Sequence, residues 1–440
     1  MSRLIELGEM PHGDEADPPA GPRRPPAPAV RVVALGLVAL LTLAGAVPAP
    51  RQPPGAPVPA PPGATFLIVA GRLVVADGPG TVGGSGRVVT GHRLPDGQQR
   101  WRFLLPAGDH VLGLGTLAGL LLVTSSPAGA GDTVTVVLDP ESGAERWRQS
   151  GYPAQTQAGG LLFETPRADG SGTIRSVDPA TGRARWSLPL PGNGVAYRDG
   201  DHGVTEIVLV SADGRVAVYD AGSGALRRTG RVPPAIDRVS YRFTQVVADL
   251  LLVDGADDAG PASPPPSREL NPVTAYGLDR LERRWTVPVP ARVPAWFADC
   301  AGVVCLQGQL PGLRVYDPVT GRQLWSDEHW LGATPVGDRL LAAAPAVGLE
   351  VELAALDPVT GRVLARFGRW RLAGDRSASR QLGLRRLPGD RTLVATLDVP
   401  AGQVRIRAVL PGSWDECADA GTALVCLRPA GGLVVWPVDR

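Results

Sequence analysis

Lysine is absent from this 440-residue sequence, so all 44 basic residues are arginine. Set against 43 acidic residues they leave a formal net charge of +1. No arginine-rich block is interleaved with aromatics, which excludes the footprint of a nucleic-acid-binding protein. Aromatic residues are scarce at 5%, yet the hydrophobic fraction of 44% is that of a globular protein. Uninterrupted helix-forming stretches are also missing. The 56 Gly and 45 Pro put a backbone punctuator at about every fourth position, and each costs about 1 to 3 kcal/mol inside a helix. Long amphipathic helices are thereby excluded, and many short strands joined by turns remain.

Catalytic signals are equally thin. The five histidines form no HxxxH or HxH pair, and no G-x-S-x-G elbow occurs. The string Gly113-Leu114-Gly115-Thr116-Leu117-Ala118 mimics a dinucleotide fingerprint but precedes a second strand-like run rather than a helix. The acidic clusters Asp199-Gly200-Asp201 and 254–258 sit in turn-like stretches and read as solvated loops rather than calcium ligands. No catalytic, cofactor-binding or metal residue is expected.

Four segments follow one another along the chain. Residues 1–28, acidic and nearly without aromatics, are expected to be a disordered cytoplasmic tail. Residues 29–47 include the uncharged run 32–47 and span roughly 28 Å at 1.5 Å per residue, enough to cross a bilayer if Arg31 snorkels. A retained signal-anchor is expected, the alternative being a signal peptide cleaved near Ala44-Gly45-Ala46. Arg23, Arg24 and Arg31 on one side against Arg51 on the other place the amino terminus in the cytoplasm and the rest outside. Residues 48–63 hold eight prolines and should form an extended stalk. Residues 64–440 make up the remaining domain.

That domain carries a repeat. A short apolar strand ends in Asp, a turn reaches Gly four residues later, and Trp follows four residues after the Gly. The phrase reads Asp139, Gly143, Trp147; then Asp178, Gly182, Trp186; and again Asp317, Gly321, Trp325. Weaker copies keep the spacing: Asp220 and Gly224 lead to Arg228, Asp357 and Gly361 to Ala365, Asp398 and Gly402 to Ile406. Two more alter the turn, Gly97 leading to Trp101 and Gly277 leading through Leu281 to Trp285. Steps between the glycine positions are 46, 39, 42, 57, 40, 40 and 41 residues. The long step contains 255–272, a Pro- and Ser-rich loop inserted in one unit.

Each letter has a physical role. Asp accepts hydrogen bonds from the turn it opens, Pro presets φ, and Gly takes the left-handed conformation that completes a hairpin. The even offset keeps Trp on the face Gly defines, where it packs against the neighbouring unit rather than serving as a ligand platform. A second hairpin-like pair precedes each phrase, as in 66–70 with 72–77. Four strands per unit of about 44 residues is the arithmetic of an all-β propeller with four-stranded blades. Eight blades are expected, with seven open, because 423–439 looks like the start of a further unit.

The phrase x-x-Asp-x-x-Thr-Gly-x-x-x-Trp resembles the repeat of the pyrroloquinoline-quinone-like (PQQ-like) β-propellers, which include quinoprotein alcohol dehydrogenases and the outer-membrane protein assembly propeller. The resemblance covers 64 to about 440. In the dehydrogenases it implies a quinone under two adjacent, disulfide-bonded cysteines and a Glu, Asn and Asp calcium site. The present sequence has no adjacent cysteines and no clear calcium constellation, and no lipidated cysteine lies near residue 48. Its composition is similar to that of actinobacterial proteins. Cys300 and Cys305, and Cys417 and Cys426, lie on strands that open a unit, and two local disulfides fit an oxidising compartment, although four cysteines allow three connectivities. The expected function is a non-catalytic, membrane-anchored extracytoplasmic scaffold, a monomer binding an unknown protein or envelope ligand. A quinone-dependent enzyme using the funnel, or an extracytoplasmic sensor, are the alternatives.

Overall fold

Short apolar runs between Gly, Pro and Asp turns can satisfy their backbone groups only by pairing side by side. In a computed structural model they do so as antiparallel strands in eight sheets. The structure describes residues 55–437 except 78–85, 128–132, 168–170, 192–193, 234–243, 255–269, 291–294, 311, 347, 374–379 and 422. The expected tail, the 29–47 anchor and most of the 255–272 insertion lie outside these residues. Leu270, expected in that insertion, instead begins the strand Leu270–Gly277. Among the described residues no helix is long and apolar enough to cross a membrane.

The first sheet is a meander of Thr65–Val69, Arg72–Ala76, Val88–Arg93 and Gln99–Leu104. The same four-strand order recurs over 110–150, 152–191, 195–231, 244–290 and 295–327, giving the second to sixth sheets. Second strands are buried on both faces and read as continuous apolar runs, as in Leu120–Ser126 and Ala423–Leu427. The dinucleotide-like string lies on His110–Leu117, within such a meander.

The eighth sheet closes the ring from both chain ends. Glu416–Asp419, Ala423–Leu427 and Leu433–Pro437 supply three strands, and Ala56–Val58 supplies the fourth in the register Ala56 to Val435, Pro57 to Val434 and Val58 to Leu433. This moves the expected stalk boundary, because Ala56–Val58 fell within 48–63. A proline-bearing segment can serve here because the strand is at the sheet's edge, where a missing N–H breaks no ladder. Phe66, Leu73 and Val75 of the first sheet pack on Val425 and Val435 of the closing sheet.

The seventh sheet departs from four strands. It has seven, from Gly332–Val336 to Gln403–Pro411, with the long Val363–Ala373 in the middle. That strand pairs with Val351–Leu356 along its first part and with Arg380–Leu387 through Arg371, Leu372 and Ala373. Two register shifts and Gly368 at φ 80° bend it, so that Leu341, Leu353 and Ala355 of one half pack on Ala395 and Leu397 of the other. Two repeat turns, at 357–361 and 398–402, therefore share one sheet, and the closing sheet has none. Eight phrases and eight sheets agree in number for that reason.

Both disulfides are local. Cys300 and Cys305 bridge at a Cα separation of 5.9 Å across the Ala301-Gly302 turn, and Cys417 faces Cys426 directly across its hairpin at 4.1 Å. All four sulfurs belong to fully buried residues.

Candidate interaction site

Five of the repeat turns, those opened by Asp139, Asp178, Asp220, Asp317 and Asp357, are built alike. In the second sheet Asp139 Oδ1 accepts hydrogen bonds from the N–H groups of Glu141 and Ser142, both at 3.0 Å, and from the Ser142 hydroxyl. Gly143 donates its N–H to the Asp139 carbonyl at 2.8 Å and sits at φ 70°. The same carboxylate pattern recurs at Asp178, Asp317 and Asp357, and in reduced form at Asp220. In three turns an arginine seven residues on takes the other carboxylate oxygen: Arg146 on Asp139, Arg185 on Asp178 and Arg227 on Asp220. The Arg146 guanidinium, with the Ser142 N–H next, holds the Asp139 carboxyl down at about 2. Arg227, then the Ser223 hydroxyl, brings Asp220 to about 2 as well.

Neighbouring sheets are joined through the tryptophans. The Trp101 indole donates to the Pro140 carbonyl at 3.1 Å, Trp147 to Pro179 at 2.9 Å, Trp285 to Pro318 at 2.9 Å and Trp325 to Pro358 at 2.9 Å. Trp186 reaches Gly222 one residue later in its turn, at 3.0 Å. Each ring also lies against the glycine of the turn it reaches. A Cβ on Gly143 would stand 2.5 Å from Trp101, and the corresponding approaches are 2.7 Å for Gly182, 2.7 Å for Gly224, 2.5 Å for Gly321 and 2.7 Å for Gly361. The repeat glycine is required twice, by its positive φ and by the ring above it.

At one place where the tryptophan is missing, the facing glycine is missing too. The fourth sheet has Arg228 in that slot, and the turn it faces in the fifth sheet carries Leu281 at φ 56° where the others carry Gly. With no ring above it, a Cβ fits. Arg228 Nη1 replaces the indole by donating to the Leu278 carbonyl, the same turn position that Pro140 and Pro318 hold. Gly402 faces Ala365, whose Cβ lies 3.0 Å from where its own would be, and Gly97 faces Val58 of the closing strand. Ile406, in the slot of the last phrase, is 68% exposed because the closing sheet offers no third-to-fourth turn to cover it.

A guanidinium fills less space than an indole, and beside this substitution a cleft of about 510 Å³ opens between the fourth, fifth and sixth sheets. In an antiparallel meander the first-to-second and third-to-fourth turns share one end. The cleft is made of such turns, with Asp249 and Asp279 from the fifth sheet and Pro318 and Val319 from the sixth. Arg198, Arg228 and Arg284 complete its lining. Behind it Glu206, only 9% exposed, accepts from Arg198 at 3.2 Å and from Arg228 at 2.5 Å. Arg198 also pairs with Asp249. Arg284 bonds Asp279 at 3.3 Å and Glu282 at 2.9 Å. Burial raises the Asp279 carboxyl, but the Arg280 N–H and the Arg284 guanidinium outweigh it and hold it below the usual carboxylate range.

The residues singled out from the sequence thus serve the ring, with Asp139, Asp178, Asp220, Asp317 and Asp357 in turns and Trp147, Trp186 and Trp325 between sheets. Asp398 holds its turn through the Ala401 N–H. None of these aspartates or tryptophans lines this cleft, although the repeat positions Arg228, Gly277 and Pro318 do. Arg198, Glu206, Asp249 and Arg284 escaped sequence reasoning, although the three consecutive departures from the repeat at Arg228, Gly277 and Leu281 marked the place. Among the described residues no group of three or more His, Cys, Asp or Glu is arranged to hold a metal.

Residues 84–258 match a family model described as outer membrane protein assembly factor BamB, a span that includes the repeat glycines at 97, 143, 182 and 224. No curated protein matches the sequence significantly. Solved structures similar to the chain include BamB from Moraxella catarrhalis, at 15% identity over 88% of this chain and 97% of that one with a TM-score of 0.43. The computationally designed Ika8 protein is 16% identical over 74% of this chain and 95% of its own, with a TM-score of 0.44. The quinohemoprotein alcohol dehydrogenase ADHIIG from Pseudomonas putida HK5 is 14% identical over 66% and 62%, with a TM-score of 0.40.

Two outcomes follow for the turns. Gly143→Ala should lose at least about 3 kcal/mol of stability, from backbone strain and displacement of Trp101, whereas Gly71→Ala, at the same φ with nothing near its Cβ, should lose about 1 kcal/mol. Equal losses in urea titrations would contradict the docking of ring on glycine. The depressed Asp139 and Asp220 stabilise the fold fully above the unfolded carboxyl pKa of about 4, and that contribution disappears as pH falls through about 2. Urea midpoints measured from pH 5 to 2 should fall less steeply in Arg146→Ala/Arg227→Ala than in the parent, and parallel curves would refute the assignment.

Proposed function

We propose that this chain, a PQQ-like β-propeller by its repeat, its sheets and the matching family model, is a non-catalytic scaffold that binds a partner protein or an envelope ligand on preformed surface. The observation that carries the reading is the cleft where the tryptophan ladder is interrupted. A ring of packed sheets is rigid, and a cleft lined by fixed turns binds without an ordering cost. Its polar groups are held by ion pairs before any ligand arrives.

The location belongs to the same proposal. The apolar run at 32–47, with Arg23, Arg24 and Arg31 close before it and Arg51 close behind, fits a single-pass anchor that leaves the propeller outside the cytoplasm. Two buried disulfides fit an oxidising compartment.

The rival class is a quinone-dependent enzyme, and one experiment separates them. The full chain, purified in detergent and incubated with calcium and pyrroloquinoline quinone, is expected to show no dye reduction with a panel of alcohols. A photocrosslinking residue placed at Val319 in producing cells should at the same time give a discrete adduct. Quinone-dependent turnover would overturn the scaffold reading.

A further inference from the structure

We propose, resting on the binding-surface reading above, that the cleft takes a carboxylate, that of a glutamate side chain presented by a partner protein. The charge of the lining points to this class. Arg198, Arg228 and Arg284 line the cleft against Asp249 and Asp279, three cations to two anions, which leaves one positive charge facing a ligand. Glu206 lies behind the wall and only 9% exposed, and Glu282 pairs with Arg284 from outside the lining. One surplus positive charge matches a carboxylate and falls short of a phosphate dianion.

The guanidiniums also have donors to spare. Each carries five N–H groups and no acceptor. Arg198 engages Glu206 and Asp249 through its two Nη atoms, Arg228 engages Glu206 and the Leu278 carbonyl through its own, and Arg284 reaches both Asp279 and Glu282 through Nη2 alone. The three Nε atoms and Arg284 Nη1 are left over. Neither Arg198 nor Arg228 has a nitrogen that is both buried and unbonded, so their spare donors open to solvent, and Arg284 is itself exposed. The lost Asp letter at Gly277 adds to this. A Cβ there would stand 2.7 Å from Arg284 Nε and 2.8 Å from Asp279 Oδ1, so the glycine gives Arg284 its place across the turn. A carboxylate takes these donors while every existing ion pair stays in place.

The wall explains why glutamate rather than a small free anion is the fit. Pro318 and Val319 line the cleft, and Val319 is 66% exposed at a turn position filled by Glu141 and Ala180 in earlier copies. Valine here puts an apolar surface, and no acid, beside the arginines. The methylenes of a glutamate can lie on Val319 while its carboxylate meets the guanidiniums.

The test uses the full chain in detergent at about 20 mM salt, where surface charges are weakly screened. The tripeptide acetyl-Ala-Glu-Ala-amide is titrated by calorimetry, with the neutral glutamine peptide, the arginine peptide and inorganic phosphate as the competing probes. The glutamate peptide is expected to bind at about 1 mM and each of the others at least about tenfold more weakly. Arg284→Gln, which removes an exposed donor group and no partner of a buried charge, should weaken the glutamate peptide about tenfold. Asp249→Asn should tighten it about threefold, because it takes a negative charge from the mouth and frees a donor of Arg198. Val319→Ser should weaken it about threefold through the lost methylene contact. An unchanged near-ultraviolet spectrum establishes that the variants are folded. Equal or preferential binding of the glutamine peptide, the arginine peptide or phosphate, glutamate binding indifferent to Arg284→Gln, weakening by Asp249→Asn, or no binding at all would each overturn the proposal. The scaffold reading would survive any of these results, since it falls only with quinone-dependent turnover.

Discussion

The structure depends on one contact repeated around the ring: an indole that lies on a glycine and donates its N–H to a carbonyl of the next sheet's turn. The hydrogen bond satisfies the only polar group of a large apolar side chain at a place where water is partly excluded. The missing Cβ lets the ring approach the turn backbone, and the turn in turn is held by an aspartate that accepts two or three of its own donors. Sheet pairing alone would leave each meander with two unpacked faces. The tryptophan fixes how far one meander sits from the next and in what register, and the apolar clusters then fill the interval.

That contact accounts for much of what could be read from residues alone. The Asp, Gly and Trp spacing was visible because a turn, a left-handed residue and an even strand offset must recur together for the contact to form. The anchoring of Cys300 to Cys305 and Cys417 to Cys426 was visible because each pair flanks a short turn. What escaped reading is nonlocal. Nothing in Ala56-Pro57-Val58 distinguishes a closing strand from a proline-rich stalk until Leu433–Pro437 is brought beside it. Likewise the seventh sheet keeps the spacing of two ordinary repeats, and only the bend at Gly368 within one unbroken strand reveals that they share a sheet.

The candidate site was legible as a defect and illegible as a site. Arg228, Gly277 and Leu281 read from the sequence as three faded letters, and a faded letter is compatible with simple drift. In space they are one event. Removing the indole frees the facing turn from its need for glycine, allows Leu281 its Cβ, and leaves room lined by arginines and carboxylates of two sheets and by the Pro318-Val319 turn of a third. Arg198, Glu206 and Asp249 carry no repeat signal because they come from first strands, second strands and their turns, where the sequence varies freely around a conserved burial pattern.

The central claim is therefore that the cleft exists because the ladder is broken at this point, and that restoring the ladder closes it. The most direct measurement is the crystal structure of the triple variant Arg228→Trp/Gly277→Asp/Leu281→Gly. The new indole is expected to lie on the new glycine, donate to the Leu278 carbonyl and close the cleft while the fold persists. An indole that turns outward and leaves the cleft open would contradict it.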